Sequence, residues 1–203
     1  MIDNDLLYDK LMNVFQWGDM EKGGDIYLDD KATLVPRNLR VLFAQTARNY
    51  ASEGNFERAV KLLDTCQIVM PESLLPIRSN LRNFMANIYI DAKEEEKALQ
   101  MMTESVDRLE KELEYYQRLA KSSKKRIKGQ AEQQINGTSG VKRSLQELGG
   151  LADRLKNEEL LTRIQNILGI PSAQPNLNEQ PGQVPQQGQP QQVPGQPVPQ
   201  SDS

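Results

Sequence analysis

The residue types that most often carry catalysis are scarce in this chain. It has no histidine and one cysteine, Cys66. Imidazole acid–base work and His-based metal ligation are therefore excluded. One cysteine also excludes an intrachain disulfide framework. Glu94, Glu95 and Glu96 are consecutive, so they fan around a helix instead of facing each other as acid and base. They suit the positive end of a helix dipole. Gly137-Thr138-Ser139-Gly140 lacks the Lys-Ser/Thr that follows in a phosphate loop. No zinc spacing and no nucleophile–base set is present. The expectation is a chain with no catalytic, cofactor-binding or metal-binding residue. What remains is recognition chemistry. Asn80, Asn83 and Asn87 fall at i, i+3 and i+7, one polar stripe on a helix over 78–91. Arg48 lies on the corresponding face of a helix over 37–52, with Val41 and Ala44. An amide donates and accepts together, which suits a peptide backbone, and a guanidinium can hold a carboxylate. Arg48, Asn80, Asn83 and Asn87 are thus a candidate peptide groove. A merely hydrophilic helix face is the competing reading.

The elements that would carry these residues are organised around Phe43 to Pro71. Phe43, Ala47 and Tyr50 share one face of a first helix. Gly54 follows, where a helix end favours a residue that accepts positive φ. Asn55 can cap the next helix, on which Ala59, Leu63 and Cys66 share a face. Met70-Pro71 ends it. A weaker copy lies 39 residues on: Met85, Ala86 and Tyr89 answer Thr46, Ala47 and Tyr50, and Ala98 and Met102 answer Ala59 and Leu63. Lys93 stands where Gly54 stood. A non-glycine residue with positive φ is uncommon, so the second turn is expected to differ from the first. Cys66, at a small-residue position, is expected to be a buried and unreactive thiol.

This order of large, small, aromatic, Gly, Ala, large, small and Pro resembles the tetratricopeptide repeat, on Phe43, Ala47, Tyr50, Gly54, Ala59, Leu63, Cys66 and Pro71. Thr46 departs from the Leu usual in the family. The resemblance implies antiparallel helix pairs whose first helices line a concave surface. The repeat period is about 34 residues. The extra residues of the longer spacing fit an inserted connector at 72–77.

After the second copy the helix runs on. Leu99, Met102, Val106, Leu109, Leu113, Tyr116 and Ala120 step by threes and fours, a heptad-like seam. It packs on this chain's own C-terminal helices or, in the alternative, on a second copy. The basic run at 121–128 reads as a solvated helix end, with anionic lipid headgroups as a less favoured partner. Val141, Leu145 and Leu148 form an apolar stripe up to Gly149-Gly150. Leu151, Leu155, Ile164, Ile167 and Leu168 form another. Both read as capping helices, or one helix broken at the glycines. At the other end, Leu7, Leu11 and Val14 or Phe15 mark a short helix, and Trp17 an anchor against the first hairpin.

Net charge is −3, so no global basic field points to nucleic acid. No apolar run approaches a membrane span and no signal peptide opens the chain; as given, the polypeptide reads as soluble. From Pro171 the chain is rich in Pro, Gln and Gly and cannot bury enough apolar surface to offset ordering entropy. A disordered spacer with polyproline II character is expected. The expected fold class is all-α: tetratricopeptide-like helical hairpins with a long helix, capping helices and that tail. The expected units are 1–36 (N-terminal helix and connector), 37–128 (two helix pairs), 129–170 (capping helices) and 171–203 (tail).

A second resemblance covers about residues 8–120. The segments YDKLMNVFQWG, IYLDD, RNLRVLFAQTARNYASEGNFERAVKLLDTCQIVMPE and LEYYQRL look like the soluble C-terminal region of large Bacteroidetes membrane proteins that resemble protein O-mannosyltransferases. Related tails tend to carry a Pro-Tyr-aromatic stretch between Pro71 and Pro76, where this chain has ESLL. Glycosyl transfer would reside in the membrane portion, which this chain lacks, so no catalytic residue carries over. The resemblance implies a non-catalytic accessory domain on the periplasmic face of the inner membrane, with a protein or peptide as partner. A free-standing peptide-binding adaptor in the cytoplasm and a self-associating module are the alternatives.

Overall fold

The computed structural model describes residues 3–22, 29 and 31–170. The expected disordered tail and Ile26, Tyr27 and Leu28 of the segment IYLDD lie outside them. Among the described residues every regular element is helical. Helix α1 (Asn4–Asp9) continues as a π-helical stretch over Lys10–Val14, and a 3-10 turn follows at Met20–Lys22. Then come α2 (Leu34–Ser52), α3 (Phe56–Val69), α4 (Ser79–Asp91), α5 (Glu95–Ala120), α6 (Lys125–Asn136), α7 (Val141–Arg154) and α8 (Glu158–Leu168).

Helices α2 and α3 form an antiparallel hairpin, and so do α4–α5 and α7–α8. All turn on the same backbone device. Gly54, Lys93 and Lys156 take φ of 79°, 65° and 53°. The next residue, Asn55, Glu94 or Asn157, donates its backbone N–H back to the carbonyl of Tyr50, Tyr89 or Ala152, at 2.8, 2.9 and 3.0 Å. Asn55 and Asn157 then accept from the N–H of Arg58 and Leu160 and cap the second helix. The expectation of a different second turn is therefore corrected. Lys93 adopts the left-handed conformation because its long side chain points into solvent while the backbone bonds of the turn hold it there.

The first helices of the hairpins, α2, α4 and α7, lie side by side. Small residues stand at matching places in these helices: Ala47 and Ala86 are fully buried, and Gly149 in α7 faces Leu161 and Ile164 of α8. The expected break at Gly149-Gly150 does not occur. Helix α7 runs through both glycines to Arg154, because Val141, Leu145, Leu148 and Ala152 keep one buried face across them.

Helix α5 has 26 residues and α4 only 13, so α4 cannot cover its length. Helices α6 and α7 pack on the remainder. Val106, Leu109 and Leu113 are thereby buried within this chain, and a dimer through the seam would require those helices to leave. The basic run is corrected as well. Its first residue, Lys121, does cap the long helix, but Lys125 opens α6, whose Ala131 and Ile135 are buried. Apolar burial, at about 0.8 kcal/mol per CH2, outweighs the few tenths lost by exposed cations at the positive end of a dipole.

At the N-terminus, Leu11 is fully buried, while Val14 and Phe15 are exposed, contrary to the expected face. Trp17 packs on Phe43, with ring centroids 5.4 Å apart, and Tyr8 meets Tyr50 edge-on at 5.7 Å. Tyr50 Oη donates to Asp5 at 2.7 Å. Arg58 holds the same carboxylate and lies over both tyrosine rings.

Two glycine substitutions should move stability in opposite directions. Gly54→Ala should cost about 1–2 kcal/mol, since a Cβ is strained at positive φ. Gly150→Ala, mid-helix and with open space around its Cβ position, should gain about 0.5–1 kcal/mol. Urea midpoints at constant m-value check both.

Candidate peptide groove

The residues named as a groove are dispersed by the fold. Asn83 is buried; its Nδ2 donates to the carbonyl of Ser144 on α7 at 3.2 Å, and its Oδ1 has no partner. Asn87 accepts from Arg154. Arg48 pairs with Asp91 at 2.8 Å, and Arg154 holds the other oxygen of the same carboxylate at 2.9 Å. Asp91 thus clasps the ends of α2, α4 and α7. Only Asn80 remains exposed, its Oδ1 accepting from the Leu81 N–H. The open amide stripe expected from spacing is corrected: a third hairpin closes over it. The alternation that puts Asn83 and Asn87 on one face says nothing about which neighbour takes that face.

The repeat-core residues fall as expected. Phe43, Ala47, Ala59, Leu63 and Cys66 are fully buried and Tyr50 nearly so, while Pro71, just past α3, is half-buried. Burial pushes the Cys66 thiol up to about 12 against the pull of the Arg40 cation beside it.

An open groove does exist, between α2 and α4, shifted toward their N-terminal halves. It encloses about 360 Å³. Leu34 and Val41 from α2 and Phe84 from α4 expose 59, 38 and 36% of their surface. Arg37 and Arg78 stand exposed at its edges, and Arg40 lies beneath it. Among the described residues no acidic side chain lines it. Phe84, Arg37 and Arg78 were missed as site residues. Phe84 matches Gln45 at the 39-residue shift, so a large apolar side chain on a first-helix face was the available signal.

Two buried guanidiniums, Arg40 and Arg82, hold the elements around the groove. Arg40 is 2% exposed and pairs with no carboxylate among the described residues. Its Nη1 donates to the Leu75 carbonyl at 2.6 Å and its Nη2 to that of Met70. It thereby satisfies the end of α3 and the inserted connector, and burial lowers its pKa. Arg82 occupies the place that Phe43 holds in the first hairpin. It pairs with Glu72 and, at 3.0 Å, with Glu104. Glu72 also holds Arg108 at 2.7 Å and accepts from the Ile77 N–H. The connector at 72–77 is therefore fixed to α4 and α5, which sets the groove's rim at Pro76 and Ile77.

A second cleft of about 600 Å³ lies where α4 and α5 meet the loop before α7. Arg108, Arg143, Glu112 and Glu147 line it, and Arg143 pairs with Glu147. Its charges largely answer one another. Among the described residues, no group of three His, Cys, Asp or Glu is placed to hold a metal, and no helix is long and apolar enough to cross a membrane.

No family model matches this chain, and neither a curated protein nor a solved structure is found to be similar to it.

The Cys66 thiol sets a sign for alkaline behaviour. A folded pKa raised above about 8.5, the unfolded value, gives a contribution that is complete below that pH and lost as pH rises toward about 12. Tyr89, also raised by burial, adds in the same direction above about pH 10. Urea midpoints from neutral to alkaline pH should fall, and Cys66→Ala should flatten the part of that fall beginning near pH 8.5.

Proposed function

We propose that this chain is a non-catalytic protein-interaction domain of tetratricopeptide-like hairpins, serving as the accessory tail of a membrane glycosyltransferase-like protein. The observation that carries the interaction reading is the groove between α2 and α4. It leaves Leu34, Val41 and Phe84 partly in water on one face of adjacent first helices. Contiguous apolar surface of this kind is costly unless something binds it.

The repeated turn supports the finer fold. One backbone solution recurs at Gly54, Lys93 and Lys156, and each time it returns a second helix along a first. The first two recurrences keep the 39-residue shift seen in the sequence. A stack of this kind buries a continuous core and presents its first helices together.

The tail reading rests on the sequence resemblance over about residues 8–120. In it the domain sits on the periplasmic face and positions a protein acceptor or an assembly partner for chemistry done elsewhere. The free-standing adaptor uses the same groove and differs only in attachment.

Sequencing the native transcript on the 5′ side of Met1 tests the tail. An open frame encoding many apolar spans fused to this segment is expected. An in-frame stop with a ribosome-binding site directly before Met1 would sink the tail reading and leave the adaptor.

A further inference from the structure

The charge on the groove is more specific than its apolar floor. Arg48, Arg58, Arg82, Arg108, Arg154 and Arg163 each hold a carboxylate. Arg37 and Arg78 hold none among the described residues, although both are exposed and both line the groove. Arg40 adds a third positive charge beneath them, its two bonded nitrogens spent on backbone carbonyls, which leave that charge unneutralised. The groove thus carries exposed and buried cations with no acidic lining among the described residues, in a chain whose net charge is −3.

We infer that the groove between α2 and α4 binds an acidic peptide segment carrying an aliphatic or aromatic anchor. This rests on the interaction-domain reading above and deepens it. The anchor seats among Leu34, Val41 and Phe84. Carboxylates before and after it meet Arg37 and Arg78, where a guanidinium fork can take two oxygens at once. The exposed amides of its lining, Asn38, Gln45 and Asn80, donate to or accept from the peptide backbone. A volume of about 360 Å³ suits one or two side chains of a linear segment. The apolar floor argues against phosphate-rich ligands, which would leave it uncovered. A second copy of this chain would have to bring an acidic face against the rim.

Anisotropy of short fluorescein-labelled peptides on the full chain tests this. One peptide is rich in Asp and Glu around a central Leu-Phe pair, a second has Lys in place of the acids, and a third has Ala in place of the pair. Only the first should bind well, and added salt should weaken it. The double variant R37E/R78E should lose at least about tenfold in affinity. Neither side chain has a side-chain partner among the described residues, so its circular dichroism should be unchanged. Phe84→Ser should also weaken binding, whereas Lys111→Glu, on α5, should not.

Equal binding of the Lys peptide, or equal loss in Lys111→Glu, would overturn the inference. So would a dimer in sedimentation that Phe84→Ser dissociates. If basic or neutral peptides from a random display library bind and R37E/R78E or Phe84→Ser releases them, the partner chemistry is wrong while the interaction domain stands. If the folded chain retains no peptide of any composition, both fall.

Discussion

A helical hairpin must reverse the chain within about three residues while leaving few backbone groups unpaired. Here one residue at positive φ does this each time, and the next residue's N–H closes back onto the first helix. That closure fixes the angle at which each second helix leaves. It also places a capping side chain, Asn55 or Asn157, at the start of the next helix. The rest follows by packing. With the turns fixed, Ala47 and Ala86 come to the close approaches, and α2, α4 and α7 are brought side by side. Two of the turns place lysine in a conformation that costs an L side chain roughly 1–2 kcal/mol. The hairpins they close bury Met101, Met102, Leu160 and Ile164, and side chains of that size recover about 1.5–3 kcal/mol each.

The connector between the first two hairpins departs from a minimal repeat, and buried cations accommodate it. An insertion there exposes carbonyls that no helix satisfies. Arg40 donates to two of them. Arg82 replaces an apolar residue in the core and draws in Glu72 from the connector and Glu104 from α5. An isolated buried charge would be strongly unfavourable, but a hydrogen-bonded and paired one holds a loop in one place. The longer spacing and the buried arginines are thus one structural adaptation. Its consequence is a rigid rim, because Ile77 is bonded to Glu72 through its N–H and to Arg108 through its carbonyl.

Much of the hairpin architecture was legible because local chemistry dictates it. Gly54 and Asn55 are turn and cap residues by type, and the apolar positions around them repeat at helical spacing. Lys93 and Lys156 were not legible, because lysine carries no preference for positive φ; the bonds around it impose the conformation. The third hairpin was hidden for a related reason. Gly149-Gly150 looks like a breaker, yet a glycine inside a helix costs only about 0.5–1 kcal/mol, less than the buried face of α7 returns. Asn157, a cap after a polar turn, was the signal that could have located it. Asn80, Asn83, Asn87 and Arg48 do lie on the first helices α4 and α2, but periodicity cannot say which of their faces another helix will cover.

Why one face is covered and the next left open can be argued from the side chains themselves. Between α4 and α7, Asn83 meets the Ser144 carbonyl, and Arg154 reaches Asn87 and Asp91. The polar groups there find one another, and Arg143 and Glu147 pair along α7. Between α2 and α4 no such answer exists. Val41 and Gln45 face Asn80 and Phe84, and Arg37 and Arg78 find no carboxylate among the described residues. The first closes because most of its donors and acceptors meet within the chain, the buried Asn83 Oδ1 excepted. The second stays open because its requirements, an apolar anchor and negative charge, are met by nothing among the described residues.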